Sequence, residues 1–395
     1  MKKIALISLA TATVLMAGGY KIPESSLNAV ALSNAYVASS YGADTSYCNP
    51  ANMVFSDNKG AAIEVDLTYI GLSKVDYNPS SGSNISSKAE NFIVPTIHYV
   101  SPAVDKFRFG LSIVSPAGLS KKWSDAPASL YAKEFTLQTI EVNPTVAYEI
   151  NDQLAVAFGI RGIKSSGVVK NAYYDLKGDG FDLGYNAALT YKPMKDTNLA
   201  LTYRSNIDLH VSGDATNVLN TTANGKVDSG VKVSIPVPAS VNLAVSHTYN
   251  GNTTVEFVLE RTMWSAYKNL DFDFSSSSVF APLQNPIAKN WKDSNTYRLG
   301  LTHKHDKITA MVGLAYDVSP VPDATIGFEN PDSNSKVISL GGRYEINEKM
   351  SVGLAGLVTL KDDRSVNNIA DGGHVNGEFS NSPVYLLSAG MEYKF

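Results

Sequence analysis

The chain has 395 residues, 44% of them hydrophobic, with a formal net charge of -4. That balance excludes the strongly basic surface that a nucleic-acid partner requires, and on its own it resembles a soluble protein. Cys48 is the only cysteine, so an internal disulfide framework is impossible.

Met1, Lys2 and Lys3 precede an apolar run from Ile4 to Met16 that ends at Ala17-Gly18-Gly19. A positive start, a short apolar stretch and small residues at its end predict a secretory signal peptide over 1–17. The run is too short for a spanning helix, which needs about 20 residues. No cysteine stands at the expected cut, which argues against a lipoprotein anchor. Residues 18–57 are rich in small residues and show little alternation. Within them, Ala29 to Leu32 and Ala35 to Ala38 predict short helices.

From about Ala61 onward, apolar and polar residues alternate with period two, the mark of strands with two unlike faces. Ile63, Val65, Leu67 and Tyr69 alternate with Glu64, Asp66 and Thr68; Phe107, Phe109 and Leu111 alternate with Arg108, Gly110 and Ser112. The same pattern recurs at Leu199 to Arg204 and Tyr297 to Thr302. Tight polar connections fall at Asp105-Lys106, Asn151-Asp152, Pro193 to Thr197, Asn250 to Asn252, His305-Asp306 and Asn347-Glu348. Between them lie long Ser/Asn/Gly/Asp-rich stretches: 73–88, 119–132, 213–230, 273–293, 319–335 and 362–382. Short turns alternating with long loops predict an all-β transmembrane antiparallel barrel of about 14 strands over 58–395, with turns periplasmic and loops outside. In such a barrel lipid-facing and lumen-facing residues average out, which accounts for the soluble-looking composition. A barrel this wide leaves a channel or needs a plug, and residues 18–57 are assigned to that role.

The last strand carries Tyr385, Leu387, Ala389, Met391, Tyr393 and Phe395 on one face and stops at an aromatic residue. It resembles the signal read by the outer-membrane assembly machinery, an expected partner during biogenesis alongside outer-membrane lipid.

Seven short motifs then occur in order: Gly19 to Ser26, Asn49-Pro50-Ala51, Ser115 to Leu119, Leu201 to Ser205, Trp264-Ser265, Trp291-Lys292-Asp293 and Ser319 to Pro322. Together they make the chain resemble the FadL/TodX family of outer-membrane long-chain fatty acid and hydrocarbon transporters. The resemblance implies a monomeric fourteen-stranded barrel with an N-terminal hatch and no cofactor. It also implies passive uptake: capture of a hydrophobic ligand in an outer groove, transfer to a pocket beside the hatch, and sideways exit at a kinked third strand.

Several residues are candidates for that route. Pro116 and Gly118 weaken ladder pairing and are placed at the kink; an ordinary strand end is the plainer reading. Asn49 can donate and accept through its amide, and is expected to bond ladder groups freed by the kink, with Pro50 and Ala51 completing the hatch motif. Tyr20 and Ile22 are expected at the inner pocket, which the resemblance lines with the mature N-terminus. Lys170 and Lys292 are the cations chosen for a ligand carboxylate. Arg108, Arg161, Arg204, Arg298 and Arg343 are expected to face the lumen and pair mostly with carboxylates such as Glu64, Glu141 and Glu260. Trp123, Trp264 and Trp291 are read as girdle aromatics at the membrane interfaces. His303 and His305 share a strand face without a cysteine partner, so no metal is expected. No Gly-x-Ser-x-Gly elbow is present, so the chain is read as no enzyme. The alternatives are a general diffusion porin or, more remotely, a barrel enzyme or an adhesin.

Overall fold

A computed structural model describes residues 18–218, 227–275, 280 and 285–395. The expected signal peptide, residues 1–17, lies outside the described residues.

Eighteen hydrogen-bonded segments form one sheet that closes on itself. Four strands are interrupted and contribute two segments each, which makes a barrel of 14 antiparallel strands. In chain order they are β1 (Ala62–Leu72), β2 (Glu90–Val100), β3 (Phe107–Val114 and Gly118–Lys122), β4 (Glu134–Asn151), β5 (Leu154–Lys170), β6 (Tyr174–Met194) and β7 (Thr197–Arg204 and Ile207–Asn217). There follow β8 (Asp228–Val237 and Ser240–Tyr249), β9 (Thr253–Thr262 and Phe272–Phe274), β10 (Ser294–His305), β11 (Ile308–Asp317), β12 (Ser335–Asn347), β13 (Met350–Lys361) and β14 (Val384–Lys394). Pairing of β1 with β14, from Ala62 opposite Lys394 to Leu72 opposite Val384, closes the ring and removes its edges. The turns expected from sequence fall between strands as anticipated; Asp105, Asn250 and Asp306 adopt the left-handed conformation that tight turns ask of Asn and Asp. Among the described residues no helix is long and apolar enough to cross a membrane; here strands do the crossing.

Alternation sorts side chains as the pattern requires. Val65, Leu67 and Tyr69 point out and are exposed, while Glu64, Asp66 and Thr68 are buried. In β14, Tyr385, Leu387 and Met391 are likewise exposed. In the outer halves of β5 to β8, however, the polarity inverts. There Lys164, Lys177, Asp179, His210, Ser212 and Lys232 face outward, and Ile163, Leu176, Leu209, Val211, Val233 and Ile235 are buried. A lipid-facing surface cannot carry so many charges at depth, so these strand ends stand in water beyond the bilayer and enclose an apolar interior.

The long stretches are more ordered than their composition suggests. Asp76–Pro79 pairs with Ile85–Ser86 and with Asn376–Ser380, which also pairs with Arg364–Asn367, to give a separate four-stranded sheet. The segment 119–132, read as loop, begins as the second half of β3 and ends in a short helix, Ala128–Ala132.

Residues 18–57 contact the inward faces of strands all round the ring. Arg298 of β10 donates to the Ser33 carbonyl, Arg343 of β12 to Asn28, Arg108 of β3 to the Met53 carbonyl and Arg204 of β7 to the Tyr47 carbonyl. Glycine permits the closest approach: a Cβ on Gly313 of β11 would lie 2.1 Å from the Leu32 carbonyl carbon. The first expected helix forms over Leu27–Ala31, capped by the Ser26 hydroxyl. The second, over Ala35 to Ala38, does not. The backbone N–H groups of Val37, Ala38 and Ser39 all turn to the buried Glu256 carboxylate of β9, and a charge-assisted bond of that kind outcompetes a short helix. A helix forms over Thr45–Cys48, and a 3-10 turn follows over Pro50–Phe55.

Candidate functional site

The interruptions in the strands share one level of the barrel, and the chain's N-terminal described residues sit among them. β3 is broken at Ser115, Pro116 and Ala117, between its segments. Across this break Ile22 N–H donates to the Pro116 carbonyl (3.0 Å) and Gly118 N–H to the Tyr20 carbonyl (2.9 Å). Thr139 of β4 supplies further partners through its hydroxyl, which accepts from Ala117 N–H. Thus the groups left by proline, which has no N–H to give, are met by residues 20–22. They are not met by Asn49, as sequence reasoning expected. Asn49 instead donates to the Val37 carbonyl and the Thr190 hydroxyl, both at 2.9 Å, and accepts from Ala51 N–H. Its amide staples the inner segment to itself and to β6. Pro50 starts the 3-10 turn, and Ala51 joins a buried apolar cluster with Met53, Val54 and Ala147.

The break has a second consequence. β2 pairs with the first half of β3 only from Ile97 opposite Ile113 to Val100 opposite Gly110. Beyond Ile97 the two strands part, and they meet again near Ser87 and Trp123. The outer end of this parting is bridged by charge: Lys122 lies 3.0 Å from Glu90 and 3.4 Å from Glu134, which also holds Lys170 at 2.7 Å.

Below the breaks the bore is polar and crossed by buried ion pairs. Arg161 binds Glu141 through two nitrogens (3.0 and 2.9 Å), with Arg204 3.7 Å from the same carboxylate. Arg298 and Lys21 share Glu260, and Arg343 pairs with Glu64. Arg108 departs from the expectation of carboxylate pairing: among the described residues it donates to the backbone carbonyls of Ser101, Met53 and Gly60.

Above the breaks the interior is apolar and aromatic. Tyr20 packs edge-on against Trp264, at 4.7 Å between ring centres, and lies 5.6 Å from Trp291, which in turn touches Tyr267. The three tryptophans are 1–5% exposed. They are therefore interior residues and not a membrane girdle; Trp123 donates its indole N–H to the Phe328 carbonyl under the loops.

Beside a cavity of about 20 Å3 lined by Lys121, Asn330 and Lys361 among others, two more open here. A small one of about 10 Å3 is lined by Tyr20, Leu137, Ile235, Tyr267, Trp291 and Asn330 among others. A large one of about 520 Å3 is lined by Leu130, Tyr131, Val169, Tyr174, Leu270, Phe272, Ile287 and His374 among others, under the outer loops. Phe135, Lys289 and Glu329 line both. The His374 ring stacks on Tyr131 at 3.6 Å, and burial pushes its imidazole below the ordinary histidine range. Burial opposes ionisation of Glu329, yet the Lys289 ammonium beside it holds the carboxyl below the usual range.

The sequence-derived sites thus separate. Tyr20 reaches the small cavity. Ile22 and Pro116 line another, of about 60 Å3, just beneath it. Gly118 pairs with Tyr20 at the break. Lys170 and Lys292 line neither the small nor the large apolar cavity: the first is tied to Glu134, and the second is exposed, with its N–H on the Pro320 carbonyl. The cation at those two cavities is Lys289, which sequence reasoning missed along with Glu329, Asn330 and Tyr267. Residues 289–293 lie outside any strand, so period two gave no signal for Lys289.

Comparison with known proteins agrees with this geometry. A family model described as outer membrane protein transport protein (OMPP1/FadL/TodX) matches residues 8–395. The long-chain fatty acid transport protein of Escherichia coli O6:H1 is 25% identical over 77% of this chain and 78% of that one. Outer membrane protein P1 of Haemophilus influenzae is 22% identical over 90% and 89%. Among solved structures, a Pseudomonas aeruginosa FadL homologue superposes with a TM-score of 0.85 at 18% identity, covering 96% of this chain and all of that one. The toluene transporter TodX of P. putida gives 0.73 at 16% identity over 94% and 99%. The chain belongs to the OMPP1/FadL/TodX family of outer-membrane transport proteins, channels and not enzymes.

Proposed function

We propose that the protein admits hydrophobic small molecules passively, by capture in the outer cavity, passage beside Tyr20 and sideways exit between β2 and β3. The observation that carries this reading is the parting of β2 from β3 beyond Ile97, beside Pro116 and level with the aromatic cluster. Beneath the apolar chamber the bore carries the buried ion pairs Arg161–Glu141 and Arg298–Glu260. Apolar cargo entering there would strip those groups of polar partners with no return, whereas lipid beside the parting is as apolar as the cargo itself. Relatives of this chain include a long-chain fatty acid transport protein and a toluene transporter; both cargoes belong to the hydrophobic class proposed here.

In this reading residues 18–57 are the hatch, Asn49 to Ala51 fix its shape, and Pro116 and Gly118 form the lateral gate. A water-filled porin, the alternative, requires an open bore, and the contacts of residues 18–57 with β3, β6, β7, β9, β10 and β12 weigh against one.

Restoring a pairing-competent strand tests the exit. The double change Pro116→Val and Gly118→Val is expected to lower uptake of a radiolabelled hydrophobic compound several-fold while leaving a folded barrel. Uptake at the unaltered rate by a folded double variant would remove the sideways route.

A further inference from the structure

Among the described residues, two buried side chains beside the outer cavity hold polar atoms without a hydrogen-bond partner, and so does the half-buried His374 in its wall, at Nε2. Among the described residues, Asn330 has no hydrogen-bond partner for Oδ1 or Nδ2, and Trp291 has none for Nε1. They are 3% and 5% exposed. Buried polar groups are almost always paired, and an orphan asks for an explanation such as a bound water or ligand. Both residues line the cavity of about 10 Å3, which has room for a group no larger than one water. Through Phe135, Lys289 and Glu329 that cavity adjoins the apolar one of about 520 Å3. A large, mainly apolar space beside a small niche with three orphaned polar atoms suits an amphiphile with one small head.

The orphans define what the head must do. Asn330 Oδ1 wants a donor; Asn330 Nδ2 and Trp291 Nε1 want an acceptor. A hydroxyl is both at once. A carboxylate or an ester only accepts, and a hydrocarbon does neither. Charge points the same way: Lys289, the cation that lines both cavities, is already held by Glu329, so an anion entering beside it would meet a carboxylate.

Building on the channel reading above, we propose that this site selects neutral amphiphiles carrying one hydroxyl, such as long-chain alcohols, over the corresponding carboxylates and hydrocarbons. The head enters the niche between Asn330 and Trp291, and the apolar body lies in the outer cavity along Phe135.

The test is displacement of a fluorescent apolar dye from the full-length mature protein in lipid nanodiscs. The competitors are dodecan-1-ol, dodecanoate, methyl dodecanoate and dodecane. Dodecan-1-ol is expected to displace at a concentration lower than the others by on the order of tenfold, the worth of one well-made buried hydrogen bond. Asn330→Leu and Trp291→Phe, each verified as folded by β-sheet circular dichroism, are expected to erase that advantage and leave dodecane unchanged. A tie between alcohol and alkane in the unaltered protein, as a trapped water filling the niche would produce, overturns the proposal. Tightest displacement by dodecanoate overturns it too, and both results leave the channel reading standing. If none of the four, dodecane included, displaces the dye, the channel reading falls with it.

Discussion

Glu141 shows how much a single buried carboxylate can matter in this wall. It is fully buried, binds Arg161 through two hydrogen bonds and attracts Arg204 as well. Glu141→Gln leaves those guanidinium groups without a counter-charge, and breaking one partner of such a pair costs about 3–5 kcal/mol. Thermal unfolding in detergent is expected to show a clear drop in midpoint; an unchanged midpoint would mean that water replaces the carboxylate. Asn49→Ala is milder. It removes bonds to Val37 and Thr190, worth about 1–3 kcal/mol where a buried partner is left unsatisfied. It is expected to reduce uptake by loosening residues 18–57 while the barrel persists, and native uptake would show that the staple is dispensable. At this scale the sequence was only half legible. Alternation correctly put Arg161, Arg298 and Arg343 inside with Glu141, Glu260 and Glu64, because parity within a strand is enough to decide a face. It could not select Lys289 over Lys292, because 286–293 joins short segments whose parity depends on where each begins. Nor could it place the amide of Asn49, whose partners Val37 and Thr190 are set by tertiary packing.

Strands reveal their existence in sequence but not their height or their breaks. Short turns between alternating runs were enough to count them, since every tight connection joins two strands that cross the bilayer. The inversion of polarity in the outer parts of β5 to β8 was hidden for a simple reason: period two looks the same whichever face is apolar. Pro116 marked the break in β3, whereas the breaks in β7 at Ser205-Asn206 and in β9 after Thr262 have no proline to announce them. The partner of the β3 break, the segment Tyr20 to Ile22, is distant in sequence and so was equally hidden. Gly19 positions that segment. Its φ is +83°, and a Cβ there would lie 2.5 Å from the Trp264 ring. Gly19→Ala is therefore strained in backbone and in packing alike, and is expected to displace Tyr20 from the aromatic cluster. Tryptophan fluorescence would report this as a shift of Trp264 and Trp291 emission toward longer wavelength; an unshifted spectrum would show that the cluster adapts.

At the scale of the whole molecule the bore is divided by one boundary. Above it lie aromatic and aliphatic side chains under a lid of loops. Below it, residues 18–57 are bound into the wall by arginines and by Glu256. On the proposed reading the inner segment is what separates a selective channel from an open pore, and the two behave differently in a planar bilayer. The intact protein is expected to pass little steady ion current. A variant lacking residues 23–57, with Tyr20 to Ile22 kept to pair with the β3 break, is expected to conduct. The wall has reason to survive that deletion, because Arg161–Glu141, Arg298–Glu260 and Arg343–Glu64 are pairs between strands and do not involve the missing segment. Water entering the emptied bore would solvate what Glu256 and Arg108 lose. Closure of the deleted variant to ions, in a barrel that still unfolds cooperatively, would mean that the outer loops seal the channel, and the obstructing role assigned to residues 23–57 would have to pass to them.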